Sequence, residues 1–158
     1  MKKFNLVSFI PTFFYVGYLP KMPGTWGSLF AFVIFVIPET FIFESLTYLF
    51  FLFFIVSLPL ISKMEKIYGN DPSIVVIDEV LGMWLIFLFD FIRDSSSFLV
   101  LGFILFRIID IYKPLYIKKI NDKSGSIYVI LDDLIAAIYT IAIIFLLDLM
   151  LRNINISL

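Results

Sequence analysis

The 158-residue sequence contains neither cysteine nor histidine, and these two absences narrow its chemistry more than anything else in its composition. Without cysteine there is no disulfide and no thiolate nucleophile. Without histidine there is no imidazole base, and neither a zinc nor a copper site of the usual nitrogen and sulfur ligands can form. Catalysis must use Asp, Glu, Lys, Arg, Ser, Thr or Tyr, and any metal must accept oxygen ligands, which favours magnesium, manganese or calcium. Charge is also scarce. Charged residues make up 16% of the chain, the net charge is -1, and there is no basic tract, so nucleic acid is not an expected partner.

Apolar residues are what the chain has in excess. They account for 61% of it, with a mean hydropathy of +1.04, far outside the range of a soluble domain of this size. The expectation is an all-α integral membrane bundle of about four to five membrane helices, preceded by a short N-terminal interfacial or re-entrant helix, with residues 1–158 forming one membrane-embedded domain. Residues 4–19, broken by Pro11 and Gly17, supply that N-terminal helix. The opening MKKFNLVSFI has no small-residue cleavage site and does not look like a removable signal. PKMPGTWGS then leads into an apolar run that ends at Pro38, with Thr25 or Ser28 as helix caps. Further spans are expected over residues 41–61, 74–92, 98–112 and about 127–151.

The excess of lysine on some loops gives an orientation. The 113–123 loop, the 62–72 loop with Lys63 and Lys66, the Lys21 loop, Lys2 and Lys3 all fall on one side, which the positive-inside rule makes cytoplasmic. The Pro38 turn, Arg93 and Arg152 fall on the other. Glu44, Asp90, Asp94 and Asp148 read as solvated ends there. In this arrangement Asp78, Asp110 and Asp132, on three separate helices, lie about 6 to 8 Å from the cytoplasmic ends of those helices.

Carboxylates gathered at one depth need a reason. An ionised group in hydrocarbon costs on the order of 2.5 to 3.5 kcal/mol even by lenient scales, so such residues usually face a wet cavity and carry function. Arg107 and Asp110 are three apart and share a helix face, which is also what a simple intrahelical salt bridge would give. Asp78, Glu79, Asp132 and Asp133 have no cation on their own helices, so a divalent cation between the 78/79 and 132/133 pairs would relieve their repulsion. Adjacent helical residues point about 100° apart, so each pair should offer one ligand and one supporting or basic group. Gly24, Thr25, Gly27 and Ser28 form a small glycine loop at a helix start, suited either to an anion or to close helix packing. Trp26, Trp84 and the tyrosines read as interface anchors and packing.

Four segments, GTWGS at 24–28, IDEVLGMW at 77–84, FRIIDIYKP at 106–114 and LDDLIAA at 131–137, resemble in order and spacing the bacterial phosphatidylglycerophosphatase A family. The similarity runs from about Gly17 to Ala142. It implies a Mg2+-dependent phosphatase of the bacterial inner membrane that converts phosphatidylglycerophosphate to phosphatidylglycerol and inorganic phosphate. The sequence departs from the family pattern at Ile77, where relatives often carry Trp, and in the glycine-poor SGSIYVILDD; neither departure touches a carboxylate.

Taken together, the residue chemistry and the resemblance imply catalytic roles for Asp78, Glu79, Asp110, Asp132 and Asp133, with Asp78, Glu79, Asp132 and Asp133 holding the metal. They also imply substrate binding by Gly24, Thr25, Gly27, Ser28, Arg107 and Lys113. Water attack and an aspartyl-phosphate route both remain open at this point, with Asp110 or Asp133 as the base of the first. A small cation- or proton-coupled transporter is the alternative from another class; it should carry charges near the midplane and on both sides. A cytidine-nucleotide phosphotransferase would need aspartates spaced along one helix, and that pattern is missing.

Overall fold

The structure, a computed structural model, describes residues 6–36, 40–114, 116–121 and 123–153; the Pro38 turn, Lys2 and Lys3 lie outside them. The chain runs through α1 (Leu6–Phe9), a 3-10 turn (Val16–Tyr18), α2 (Pro23–Val36), α3 (Thr40–Tyr68), α4 (Ile77–Phe87), α5 (Asp90–Arg93), α6 (Ser96–Tyr112), α7 (Tyr116–Asn121) and α8 (Ser126–Asn153). No strand occurs among the described residues, as an all-α chain requires.

A helix that is apolar on every face needs neighbours on every face, and α4 has them. Ile77, Val80, Leu81, Met83, Ile86 and Phe87 are fully buried there. The helix packs most extensively on α8, with α2, α3 and α6 completing its surroundings. Gly82 permits the closest approach: a Cβ at this position would lie 2.6 Å from the Phe106 ring and 3.2 Å from the Asp133 carbonyl oxygen. Trp84 is buried between Phe13 and Phe53, at ring-centroid distances of 6.0 and 5.5 Å, so it is a core residue and not an interface anchor. Trp26 is 39% exposed and donates its indole N–H to the Pro20 carbonyl at 3.3 Å.

Fewer helices are long enough to span than the sequence suggests. Among the described residues only two are long and apolar enough to cross a bilayer, Ser45–Tyr68 and Ser126–Asn153, against the expected four to five. The 74–92 run is the main difference. Residues 74–76 are not helical, α4 holds 11 residues, and the chain becomes extended at Phe89 before the charged Asp90, Arg93 and Asp94 reach solvent. An apolar run records burial, and burial inside a bundle leaves the same composition as burial in lipid. α2 and α6, at 14 and 17 residues, also fall short of the roughly 20 that a span needs. In contrast, α3 continues through Pro59 to Tyr68, past the expected end at 61.

Only 22% of the most apolar window of each long helix is buried inside the protein. Phe51, Leu52 and Ile55 on α3, and Phe145, Leu146 and Met150 on α8, are more than half exposed. Apolar surface on that scale marks a face that contacts membrane or another protein.

The N-terminal segment, where a short interfacial or re-entrant helix is expected, is the four-residue α1 followed by a compact turn. Phe13, Phe14 and Tyr15 all have left-handed backbones, and Thr12 Oγ1 fixes the turn by donating to the Ser8 carbonyl and accepting from the Tyr15 amide. The Pro11 carbonyl then accepts the amides of Val76 and Ile77, at 2.9 and 3.1 Å. This ties the segment to the start of α4, where Asp78 and Glu79 follow.

Candidate active site

α4 begins, α6 ends and α8 passes through its second turn at one end of the bundle, and a cavity of about 270 Å³ lies among them. Asp78, Glu79, Asp110, Asp132, Asp133, Arg107 and Lys113 line it, joined by Gly24 and by Asp71, Ser73 and Val75 from the loop before α4. Six carboxylates therefore face two cations. The two cations are already engaged. Arg107 donates to Asp110 Oδ2 at 2.7 Å, and Lys113 pairs with Asp132 Oδ2, lying 4.0 Å from Asp110 Oδ1.

What remains is a negative surplus. One carboxylate oxygen each from Asp78, Glu79 and Asp133 can be chosen so that all lie within 4.8 Å of one another. Asp78 Oδ1 and Glu79 Oε2 are buried with no hydrogen-bond partner among the described residues. A hard divalent cation with oxygens at about 2.0–2.1 Å fits such a set after small side-chain adjustments, and its charge offsets the repulsion. The 132/133 pair divides as expected into one candidate ligand and one supporting group, but the 78/79 pair does not. Both Asp78 and Glu79 belong to the trio, whereas Asp132 is turned toward Lys113 and leaves its Oδ1 buried and unpartnered.

Lys113 is held by unusual backbone geometry. It is the residue after α6, in the left-handed region at φ 44° and ψ 58°, with its amide bonded to the Ile109 carbonyl at 2.8 Å. For a residue other than glycine that conformation costs on the order of 1–2 kcal/mol. Burial alone would lower its pKa, but the hydrogen bond and charge of Asp132, with Asp133 and Asp110 beyond, more than reverse this. Lys113 therefore titrates above an ordinary lysine and stays an ammonium. Its side chain keeps 26% exposure, so the charge borders the open side of the cavity.

The GTWGS segment does not form an anion loop. α2 starts at Pro23, so Thr25 and Ser28 lie inside the helix and cap nothing, and the amides of Thr25 and Trp26 both bond to the Met22 carbonyl. The two hydroxyls instead accept from Arg107, Thr25 Oγ1 from Nη2 at 3.3 Å and Ser28 Oγ from Nη1 at 3.2 Å. Gly27 packs on Val76, whose Cβ would lie 2.8 Å from an added methyl. Gly24 alone of the four lines the cavity, and a Cβ there would collide with Glu79 Oε1.

Asp71 and Ser73 are lining residues that reading the sequence overlooked. Asp71 follows Gly69 in a tight turn, itself left-handed at φ 47°, and Pro72 directs the chain back toward α4. The signal available was GNDPS, a turn sequence ending a few residues before the Asp78/Glu79 pair on the same side. At the far end of the bundle, Arg93 pairs with Asp90, and Arg152 with Asp148 at 3.0 Å.

A family model described as "PgpA: Phosphatidylglycerophosphatase A" matches residues 9–148. A curated relative from Bacteroides thetaiotaomicron, which carries the provisional name phosphatidylinositol-3-phosphatase, is 35% identical over 149 residues, covering 87% of this chain and 92% of its own. Proteins named phosphatidylglycerophosphatase A from Haemophilus influenzae and Escherichia coli are 29% and 28% identical. They cover 89% and 82% of this chain and 88% and 76% of their own lengths. No solved structure gives a significant match.

Proposed function

This chain belongs to the phosphatidylglycerophosphatase A family, and from that premise we propose that it hydrolyses the terminal phosphomonoester of phosphatidylglycerophosphate at a membrane surface. The observation that carries the reading is the convergence of Asp78, Glu79 and Asp133, the first two with unpartnered buried oxygens, beside the Lys113 ammonium in one open cavity. Phosphoryl transfer needs such a site, because most of its catalysis is positioning and charge neutralisation.

Asp78, Glu79 and Asp133 hold a magnesium ion in this proposal, and the ion when bound supplies Lewis-acid stabilisation of charge on the phosphoryl oxygens. Lys113, at the open side, binds a phosphate oxygen. Arg107, tied to Asp110, Thr25 and Ser28, holds α6 against α2 and keeps Asp110 in place. Asp132 has Oδ2 occupied by Lys113 and Oδ1 free, which suits it to orient the attacking water and take its proton. The water oxygen bonds to phosphorus, the bond from phosphorus to the glycerol oxygen breaks, and a proton passes to that oxygen. The products are phosphatidylglycerol and inorganic phosphate.

The cavity opens at one end of the bundle, where a lipid headgroup can reach it while its acyl chains stay in the membrane. The positive-inside pattern puts this end in the cytoplasm, and multi-pass insertion in the bacterial inner membrane, with α2, α4 and α6 packed between the two long helices, completes the proposed arrangement. The site's one-sidedness disfavours the transporter alternative. A second headgroup deserves testing because the relative from B. thetaiotaomicron is named for an inositol phospholipid. Purified protein given phosphatidylglycerophosphate or phosphatidylinositol 3-phosphate in mixed micelles should release phosphate faster from the first. The reverse preference would reassign the substrate, and release from neither would overturn the proposal.

A further inference from the structure

A second cavity, of about 340 Å³, lies on the outer seam between α6 and α8. Its lining is Ile109 from the last turn of α6, Pro114 just after that helix, and Tyr139, Ala142, Ile143 and Leu146 from α8. Its position ties it to the active site. Ile109 precedes Asp110 in the chain and Pro114 follows Lys113, both of which line the polar cavity. On α8, Tyr139 and Leu146 are seven and fourteen residues beyond Asp132, so all three stack on one helix face with a drift of only about 20° per heptad. The Lys113–Asp132 pair thus stands at the head of an apolar track that descends α8.

We propose that this groove seats one acyl chain of the phosphomonoester lipid whose headgroup occupies the polar cavity, an inference that rests on the function proposed above. Dimensions agree. At a rise of about 1.5 Å per residue, Tyr139 and Leu146 lie roughly 10 and 21 Å below Asp132, so the groove begins within the site-side leaflet, about half of a 30 Å hydrocarbon core, and runs to just past its midplane. The walls offer no ionised group, and Ala142, the smallest lining side chain, leaves the groove its depth. A lipid held in this way is fixed at two points. Its phosphate meets Lys113 while its chain lies along α8, so the reacting phosphorus is oriented without extracting the lipid from the membrane.

Ala142→Trp should fill the groove. In mixed micelles its phosphate release from dioleoyl phosphatidylglycerophosphate should fall roughly tenfold while release from the dihexanoyl lipid falls less than about twofold, the scale on which an apolar pocket discriminates chain length. Ile55→Trp, on an exposed face of α3, should change neither. Equal loss on both lipids, or on neither, would count against the groove as the acyl seat. A photocrosslinking measurement on the wild-type protein in phosphatidylcholine vesicles does not depend on turnover or on any variant folding. Phosphatidylglycerophosphate with a diazirine midway along an acyl chain should label residues 139–146 or Ile109, and the same chain on phosphatidylcholine at equal mole fraction should label them much less. Equal labelling by both lipids would make the groove a site for bulk lipid, and absence of label there would overturn the proposal. Failure of wild type to release phosphate from either chain length would refute the parent reading alone, because the labelling contrast still reports on the groove.

Discussion

Single side chains decide whether the acidic cluster is a site or a liability. Asp78, Glu79 and Asp133 are brought together without a protein cation to themselves, whereas Asp110 and Asp132 each have one. The sequence showed that Asp78, Asp110 and Asp132, on three separate helices, would share a depth, because helical rise alone fixes depth. It could not show that Asp132 turns to Lys113, since that depends on the left-handed turn after α6. Nor did it separate the roles within GTWGS, where Gly24 gives room to Glu79, Gly27 to Val76, and the two hydroxyls serve Arg107. Gly24→Ala tests the first of these. The added methyl meets the Glu79 carboxylate and must displace it, and a displacement of about 1 Å at such a centre can lower kcat roughly a hundredfold. Steady-state kinetics beside a thermal unfolding curve should show that loss with little change in Tm; unaltered kcat would mean that the position of Glu79 is unimportant.

Among the elements, α4 is the one whose nature the sequence concealed. Its residues are as apolar as those of α8, but α4 is enclosed by helices and α8 faces outward over most of its apolar window. Composition does not distinguish these two surroundings. The sequence pattern puts Asp78 and Glu79 near the start of this helix but begins it at 74 instead of Ile77, and its short length depends on Phe89 turning extended to deliver Asp90 and Arg93 to solvent. Gly82 sets how closely α4 approaches α6 and α8, one turn from Asp78, against the Phe106 ring first and then the backbone of Asp133. Gly82→Val should separate the helices and destabilise the protein by about 1–3 kcal/mol, the usual range for overpacking a filled core. Chemical unfolding in a fixed detergent measures this, and wild-type stability in the variant would show that the contact is loose.

At the scale of the whole molecule, the proposal places the site end in the cytoplasm and the Asp90–Ser96 end outside. The lack of cysteine makes this direct to test, because any introduced thiol is the only one present. Lys119→Cys, beside the site end, should react with a membrane-impermeant maleimide only in inverted vesicles, and Asp94→Cys only in intact spheroplasts. The opposite pattern would invert the topology and remove the cytoplasmic assignment.

We propose that Asp78, Glu79 and Asp133 together hold the metal on which phosphate release depends. The most direct test is the magnesium dependence of phosphate release from phosphatidylglycerophosphate by wild type, Asp133→Asn and Asp132→Asn, each shown to be folded by circular dichroism. Wild type should be active only with magnesium. Asp133→Asn should need a much higher magnesium concentration for any residual activity, while Asp132→Asn should lose kcat with its magnesium requirement near that of wild type. Full activity of wild type in the presence of a chelator, or of Asp133→Asn at the wild-type magnesium concentration, would contradict the account.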